Sequence, residues 1–187
     1  MNLVEVVNAT RTEIDEELVA RLVATVLEAE GVSGAEVAVE FVGEARIRAL
    51  NREHRGKDEV TDVLSFPLED WEPFDPPAGE ASAAEETRAV AAASLAPDLG
   101  EVAEAALSGT AGPPLLLGDI VICARRALDQ ARTDDLPPSL EVAVLLAHGA
   151  LHLLGYDHET DAGRMALRQA EVLELVDWEG IVVAASR

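Results

Sequence analysis

Cysteine and lysine each occur once in this 187-residue chain, as Cys123 and Lys57. A lone cysteine excludes an intramolecular disulfide, so no covalent staple is expected to hold the fold. Cys123 stands in an apolar run and reads as a core residue, not a nucleophile. Basic residues as a whole are scarce. Lys and Arg number 14 against 36 Asp and Glu, a net charge of -22, which is far from the balance of an indiscriminate nucleic-acid binder. Long hydrophobic runs are missing too: "VAVLLA", just before His148, is soon interrupted by histidine and glycine, far short of the roughly 20 apolar residues of a membrane span. The opening "MNLVEVVNATRTEIDEE" has no charged, then apolar leader, so the expectation is a soluble, cytoplasmic protein with no membrane partner.

The length suits one domain, residues 1–187, large enough to bury a core without a structural metal. Any metal is then expected to serve function. "NLVEVV" and "EVAVEFVG" alternate as strands do, and each is followed by a helical pattern, "DEELVARLVATVLEAEG" closing on Gly31 and "EARIRALNREHRG" closing on Gly56. "DVLSF" and "LLLGDIVICA" read as a third and a fourth strand, the latter leading into "RRALDQART". From Pro137, "PPSLEVAVLLAHGALHLLG" predicts a helix with Ser139 as N-cap, ending at Gly155, and a last helix is expected from about Thr160. This order predicts an α+β or α/β-like fold with a four-stranded sheet covered by helices. Residues 70–114 break the pattern: rich in Ala, Pro, Glu and Gly, they hold nine acids against one base, Arg88. They read as a disordered or surface insert without a catalytic role.

The most informative stretch is "HGALHLLGYDH", residues 148–158, which holds three of the chain's four histidines. On a helix, His148 and His152 share one face. Gly155 then allows a turn that brings His158 back to them. The helix is apolar nearly all round, and unpartnered imidazoles inside it would be costly. Three neutral imidazoles suit one zinc ion and leave a fourth position for water, the arrangement of a catalytic site. Imidazole also suits other divalent transition metals, nickel, copper and iron among them. Asp157 is either a partner that orients a ligand or a turn residue. The histidine intervals and Gly155 also fit H-E-x-x-H-x-x-G-x-x-H proteases, whose glutamate takes the proton from the metal's water. Here that position is Gly149. A glycine there reads as room for another backbone or a substrate to approach, which leaves a zinc metalloprotease without its usual glutamate as an alternative.

Positive charge concentrates in residues 46–57, where Arg46, Arg48, Arg52, Arg55 and Lys57 lie together. Arg46 and Arg48 read as a solvated helix face paired with local acids. Arg55, at the helix end beside Gly56, can hold a phosphate through two parallel hydrogen bonds. His54 is an exposed residue, a fourth ligand or a proton carrier. Thr61, Asp62, Ser65 and Pro67 read as residues that begin and end a strand.

The motif H-G-x-L-H-L-x-G-Y-D-H from His148 to His158, together with "NREHRGKDEVTDVLSFP" and "LGDIVIC", resembles the bacterial YbeY endoribonucleases over residues 2–68 and 115–178. The chain has His54 and Val60 where that family commonly has an aromatic residue and a proline. The resemblance implies a mixed sheet with helices and one metal ion, usually zinc, held by His148, His152 and His158. It also implies single-strand-specific RNA cleavage in maturation of the 3′ end of 16S rRNA and in ribosome quality control. Arg55 falls on the family's functional arginine, so Arg55 and His148 are the candidate catalytic residues. Arg52, Arg55 and Lys57 are the candidate RNA contacts, forming a local basic groove to which the ribosome or a ribosomal protein delivers the substrate. A non-catalytic ribosome-associated factor is the remaining alternative.

Overall fold

The computed structural model describes residues 1–68, 115–158, 161 and 163–184. The expected insert at 70–114 lies outside the described residues. In chain order the elements are β1 (Leu3–Asn8), β2 (Glu13–Ile14), α1 (Glu16–Ala29), β3 (Ala35–Val42), α2 (Glu44–Arg55), β4 (Val63–Pro67), β5 (Leu115–Cys123), α3 (Ala124–Thr133), α4 (Pro138–Leu153), α5 (Arg164–Leu175) and β6 (Val182–Ala184). Four strands form one sheet in the order β1-β3-β5-β4. The β1–β3 and β3–β5 pairs are parallel and β4 runs antiparallel on the edge, so the sheet is mixed and the fold is α+β.

Period-two alternation in β3 sends Val37, Val39 and Phe41 to one face, where they meet α1, α4 and residues of α3 and α5 in the main core. The apolar stripe of α1, Val19, Leu22, Val23, Val26 and Leu27, is buried there. Asp15 caps that helix by accepting the Leu18 N–H at 3.0 Å, and Glu16 and Glu17 in its first turn suit the helix dipole. Each fully buried Leu, Ile or Phe in this core stabilises the fold by about 1.5–3 kcal/mol relative to exposure. The second face is covered only in part: Ile47 and Leu50 of α2 pack on Leu64, Val121 and Cys123, while Leu3 and Val7 remain exposed. Cys123 is thus a core residue, and burial pushes its thiol above the ordinary range.

Two contacts bring α4 and β4 together. In β5 the register against β3 shifts near Gly118, whose φ of +134° is one that L side chains rarely adopt. A Cβ there would stand 2.1 Å from the Phe66 carbonyl oxygen of β4, so this bulge requires glycine. On α4, a Cβ at Gly149 would stand 2.8 Å from Ile120 Cγ2 and 3.2 Å from Ser65 Oγ. The glycine therefore admits the side chains of β5 and β4, not the backbone or substrate expected from sequence. It lets the helix lie close against the sheet beside the edge strand.

Three local expectations are revised. Ser139 is not the N-cap of α4, because the helix already includes Pro138, and its hydroxyl accepts the Val182 N–H of β6 at 3.1 Å. The last helix begins at Arg164, four residues later than the pattern implied, after Gly163 at φ +93°. Strands β2 and β6 pair antiparallel in a small second sheet, which the sequence reading did not anticipate.

Candidate metal centre and its cleft

His148 and His152 stand one turn apart near the end of α4, their rings edge to face with centroids 4.5 Å apart. After Leu153 the chain turns through Gly155 at φ +88°, a conformation favoured by glycine. Tyr156 is buried after that turn, and the chain returns so that His158 faces both rings. His152 Nε2 lies 3.1 Å from His148 Nε2, and His158 Nδ1 lies 3.2 Å from His152 Nε2. One nitrogen from each ring falls within a set no more than 4.8 Å across.

Hydrogen bonds on the far side of the rings decide what these nitrogens can do. His152 Nδ1 lies 2.8 Å from the Tyr156 carbonyl oxygen; a carbonyl only accepts, so Nδ1 carries the proton and a neutral ring leaves Nε2 bare. His148 Nδ1 donates in the same way to Gln169 Oε1 at 3.1 Å. Burial is the main force lowering the pKa of both imidazoles below the ordinary histidine value, which favours the neutral, ligating form. Two bare nitrogens 3.1 Å apart repel unless a cation or proton stands between them. A tetrahedral site with zinc–nitrogen distances of about 2.0–2.1 Å puts its nitrogens about 3.3 Å apart, close to the two spacings observed. The donor set therefore fits a divalent transition-metal ion, with orienting acceptors of the kind that metal-bound histidines use.

The three histidines line a cleft of about 520 Å³ together with His54 and Arg55 from the end of α2 and the run from Thr61 to Pro67. Of the basic cluster, only Arg55 lines this cleft. Arg48 binds Asp58 through Nε and Nη2 at 2.8 and 3.0 Å, as the sequence suggested, and Arg52 adds a 3.7 Å contact to the same carboxylate. Arg46 turns to a separate trough with Glu5, Glu40 and Asp119. Lys57 is exposed and lines neither space. Among the described residues Arg55 has no ion-pair or hydrogen-bond partner, leaving its guanidinium available to an anion. His54 stands edge-on to Phe66, centroids 4.8 Å apart, and is not among the clustered ligand atoms. Asp157 is exposed, and its charge bears on His152.

Sequence reasoning missed three participants. Gln169, on α5, and the Tyr156 main-chain oxygen orient the two helical histidines. Asp62 does mark the start of β4, since its Oδ1 accepts the Val63 N–H at 2.9 Å and the Thr61 hydroxyl at 3.0 Å. It also lines the cleft, and its charge is felt by His148.

Fold and site together define an α+β protein with a three-imidazole donor set in an open cleft, an arrangement used by hydrolases that keep one metal position open. A family model described as Endoribonuclease YbeY matches residues 5–177. The chain belongs to the YbeY endoribonuclease family. It is 41% identical over 166 residues to an Endoribonuclease YbeY of Anaeromyxobacter sp. (strain Fw109-5), covering 88% of this chain and 65% of the relative. It is also 41% identical over 157 residues to one of Thermoanaerobacter sp. (strain X514), covering 83% of this chain and 82% of that one. The solution structure of TM1509 from Thermotoga maritima shares the fold, with a TM-score of 0.52 at 23% identity over 92% of this chain and 87% of that one. No single described helix is long and apolar enough to cross a membrane.

Proposed function

We propose that this chain is a single-strand-specific, metal-dependent endoribonuclease acting in the cytoplasm on the 3′ end of 16S rRNA and in ribosome quality control. One zinc ion per chain, held by His148, His152 and His158, is its cofactor, and the ribosome or a ribosomal protein is its partner. The chain is one domain over residues 1–187, with an insert at about 70–114. The observation that carries the reading is the meeting of three clustered imidazoles with an unengaged arginine in one cleft.

When bound, the cation supplies Lewis acidity, lowering the pKa of a water toward neutrality and polarising a phosphoryl oxygen. Arg55 grips the scissile phosphate through its planar fork and stabilises the charge that grows on it in the transition state. Gln169 and the Tyr156 carbonyl hold the protons of His148 and His152 on Nδ1, so both Nε2 atoms face the reaction. Asp62 lines the β4 side of the cleft, its Oδ1 held by the Val63 N–H and the Thr61 hydroxyl. The space around Gly149 supports this reading over a protease, because even the Cβ of a glutamate there would stand 2.8 Å from Ile120 Cγ2 and 3.2 Å from Ser65 Oγ. The test is cleavage of a labelled single-stranded RNA by zinc-loaded protein, beside His152→Ala purified in the same way. The expected result is cleavage by the first protein only, with zinc content reduced in the second. Equal cleavage by both, or none by either, refutes the proposal as stated and favours a ribosome-associated factor.

A further inference from the structure

The histidine cluster rests on a buried polar network to which no histidine belongs. Glu30, the residue that ends α1, has a fully buried side chain. Its Oε2 accepts the Tyr156 hydroxyl at 2.8 Å, and its Oε1 pairs with Arg168 Nε. Arg168 also donates to the Ala29 carbonyl at 2.8 Å and to Glu171 Oε2 at 2.7 Å. Tyr156 is the residue whose carbonyl orients His152, and Gln169, which orients His148, directly follows Arg168. One carboxylate thus ties down the two chain segments that set both rings.

Helix stability gives poor reason for an acid here. A carboxylate at the C-terminal end of a helix meets the negative end of its dipole. A buried ion pair is also often no better than an apolar replacement of the same volume. What the carboxylate does supply is direction, since it accepts from two donors that approach from two different segments, the turn after α4 and the helix α5.

We infer that Glu30 is a positioning residue for the histidine cluster, acting through Tyr156 and Arg168 on the two acceptors that orient His152 and His148. The inference rests on the metal reading above. It is tested by measuring zinc affinity of the full chain by chelator competition, and the visible spectrum of the cobalt-loaded protein, for wild type, Glu30→Ala, Glu30→Gln, Tyr156→Phe and Val26→Ala. The last variant weakens the same helix from a fully buried apolar position and keeps the Val26 carbonyl, which accepts the Glu30 N–H at 3.2 Å. Partners of metal-bound histidines typically contribute about 10–100-fold to affinity. Glu30→Ala and Tyr156→Phe, which act one contact further out, are expected to weaken zinc binding by up to about that factor and to change the cobalt spectrum. Glu30→Gln, which keeps an acceptor for the tyrosine hydroxyl, is expected to lose less, and Val26→Ala to bind as wild type does. Should Glu30→Ala fail to fold, Tyr156→Phe, lacking a single oxygen, decides. Unchanged zinc affinity in folded Glu30→Ala and Tyr156→Phe overturns the inference, as does an equal loss in Val26→Ala. Failure of wild type to bind zinc refutes the metal reading itself.

Discussion

Replacing Gly149 by alanine tests the contact that lets α4 lie close to the sheet. The added methyl would sit 2.8 Å from Ile120 Cγ2 and 3.2 Å from Ser65 Oγ. Ile120 is fully buried and β-branched, so its Cγ2 cannot swing away without moving χ1. Overpacking of this kind costs about 1–3 kcal/mol. Against it stands the gain of about 1 kcal/mol when alanine replaces glycine inside a helix. Gly149→Ala is therefore expected to lose about 0–2 kcal/mol of stability, the difference of those two effects. Made in an Ile120→Ala background the same change meets no methyl, and it should stabilise by up to about 1 kcal/mol. The sign reverses between backgrounds, and the coupling is about 1–3 kcal/mol. Ile120→Ala itself costs about 2–5 kcal/mol, so the cycle needs a parent stability above that. The assay is urea unfolding of the four proteins in the presence of chelator, so that metal linkage does not enter. If Gly149→Ala has the same effect in both backgrounds, to within about 0.5 kcal/mol, Ile120 is not the constraint and the packing argument is wrong.

Three further outcomes are expected. Glu141 is buried on α4, and burial, followed by the nearby Asp134 and Asp62 charges, raises its carboxyl above the ordinary range. The folded state then holds that proton more tightly than the unfolded state. Stability falls as pH rises from the ordinary carboxylate value through the raised one, and the full penalty remains above it. Glu141→Gln should accordingly raise the urea midpoint at pH 7, with the gain vanishing below about pH 4; a gain of equal size at both pH values contradicts the cause given. Arg55→Ala should lower kcat/KM for RNA by about 100–1,000-fold with zinc content unchanged. Arg52→Ala, whose charge Asp58 already engages, should matter by less than about tenfold. Cleavage should weaken steeply with salt, as phosphate contacts do, and equal effects of the two arginine variants would count against a specific clamp at Arg55.

What could be read from sequence was local and periodic. The alternation in "EVAVEFVG" gave β3 and the sides its residues face, and the four-residue interval between His148 and His152, with Gly155 beyond, gave the clustered rings. Elements of two or three residues, such as β2 and β6, are too short to show a period, and they pair across most of the chain. Gln169 could not be linked to His148, nor Glu30 to Tyr156, because such contacts depend on how α1, α4 and α5 pack. The basic cluster divides for a related reason. Neighbours on a helix diverge by about 100° per residue, so Arg46, Arg52 and Arg55, close in sequence, reach a far trough, a local aspartate and the cleft. Gly149 announced a close approach without saying that Ile120 and Ser65 would make it.

The β4–β5 ladder extends to a hydrogen bond from the Leu68 N–H to the Leu117 carbonyl at 3.1 Å. These strands are antiparallel neighbours, so the chain leaves the sheet at Leu68 and rejoins it at Leu115 within a rung or two of the same ladder. A tight hairpin can join two antiparallel strand ends placed in this way. The junction is thus a place where evolution or an engineer can lengthen, shorten or exchange the chain. Replacing the whole stretch by a short turn should leave the register of all four strands, and the histidines beneath them, as they are.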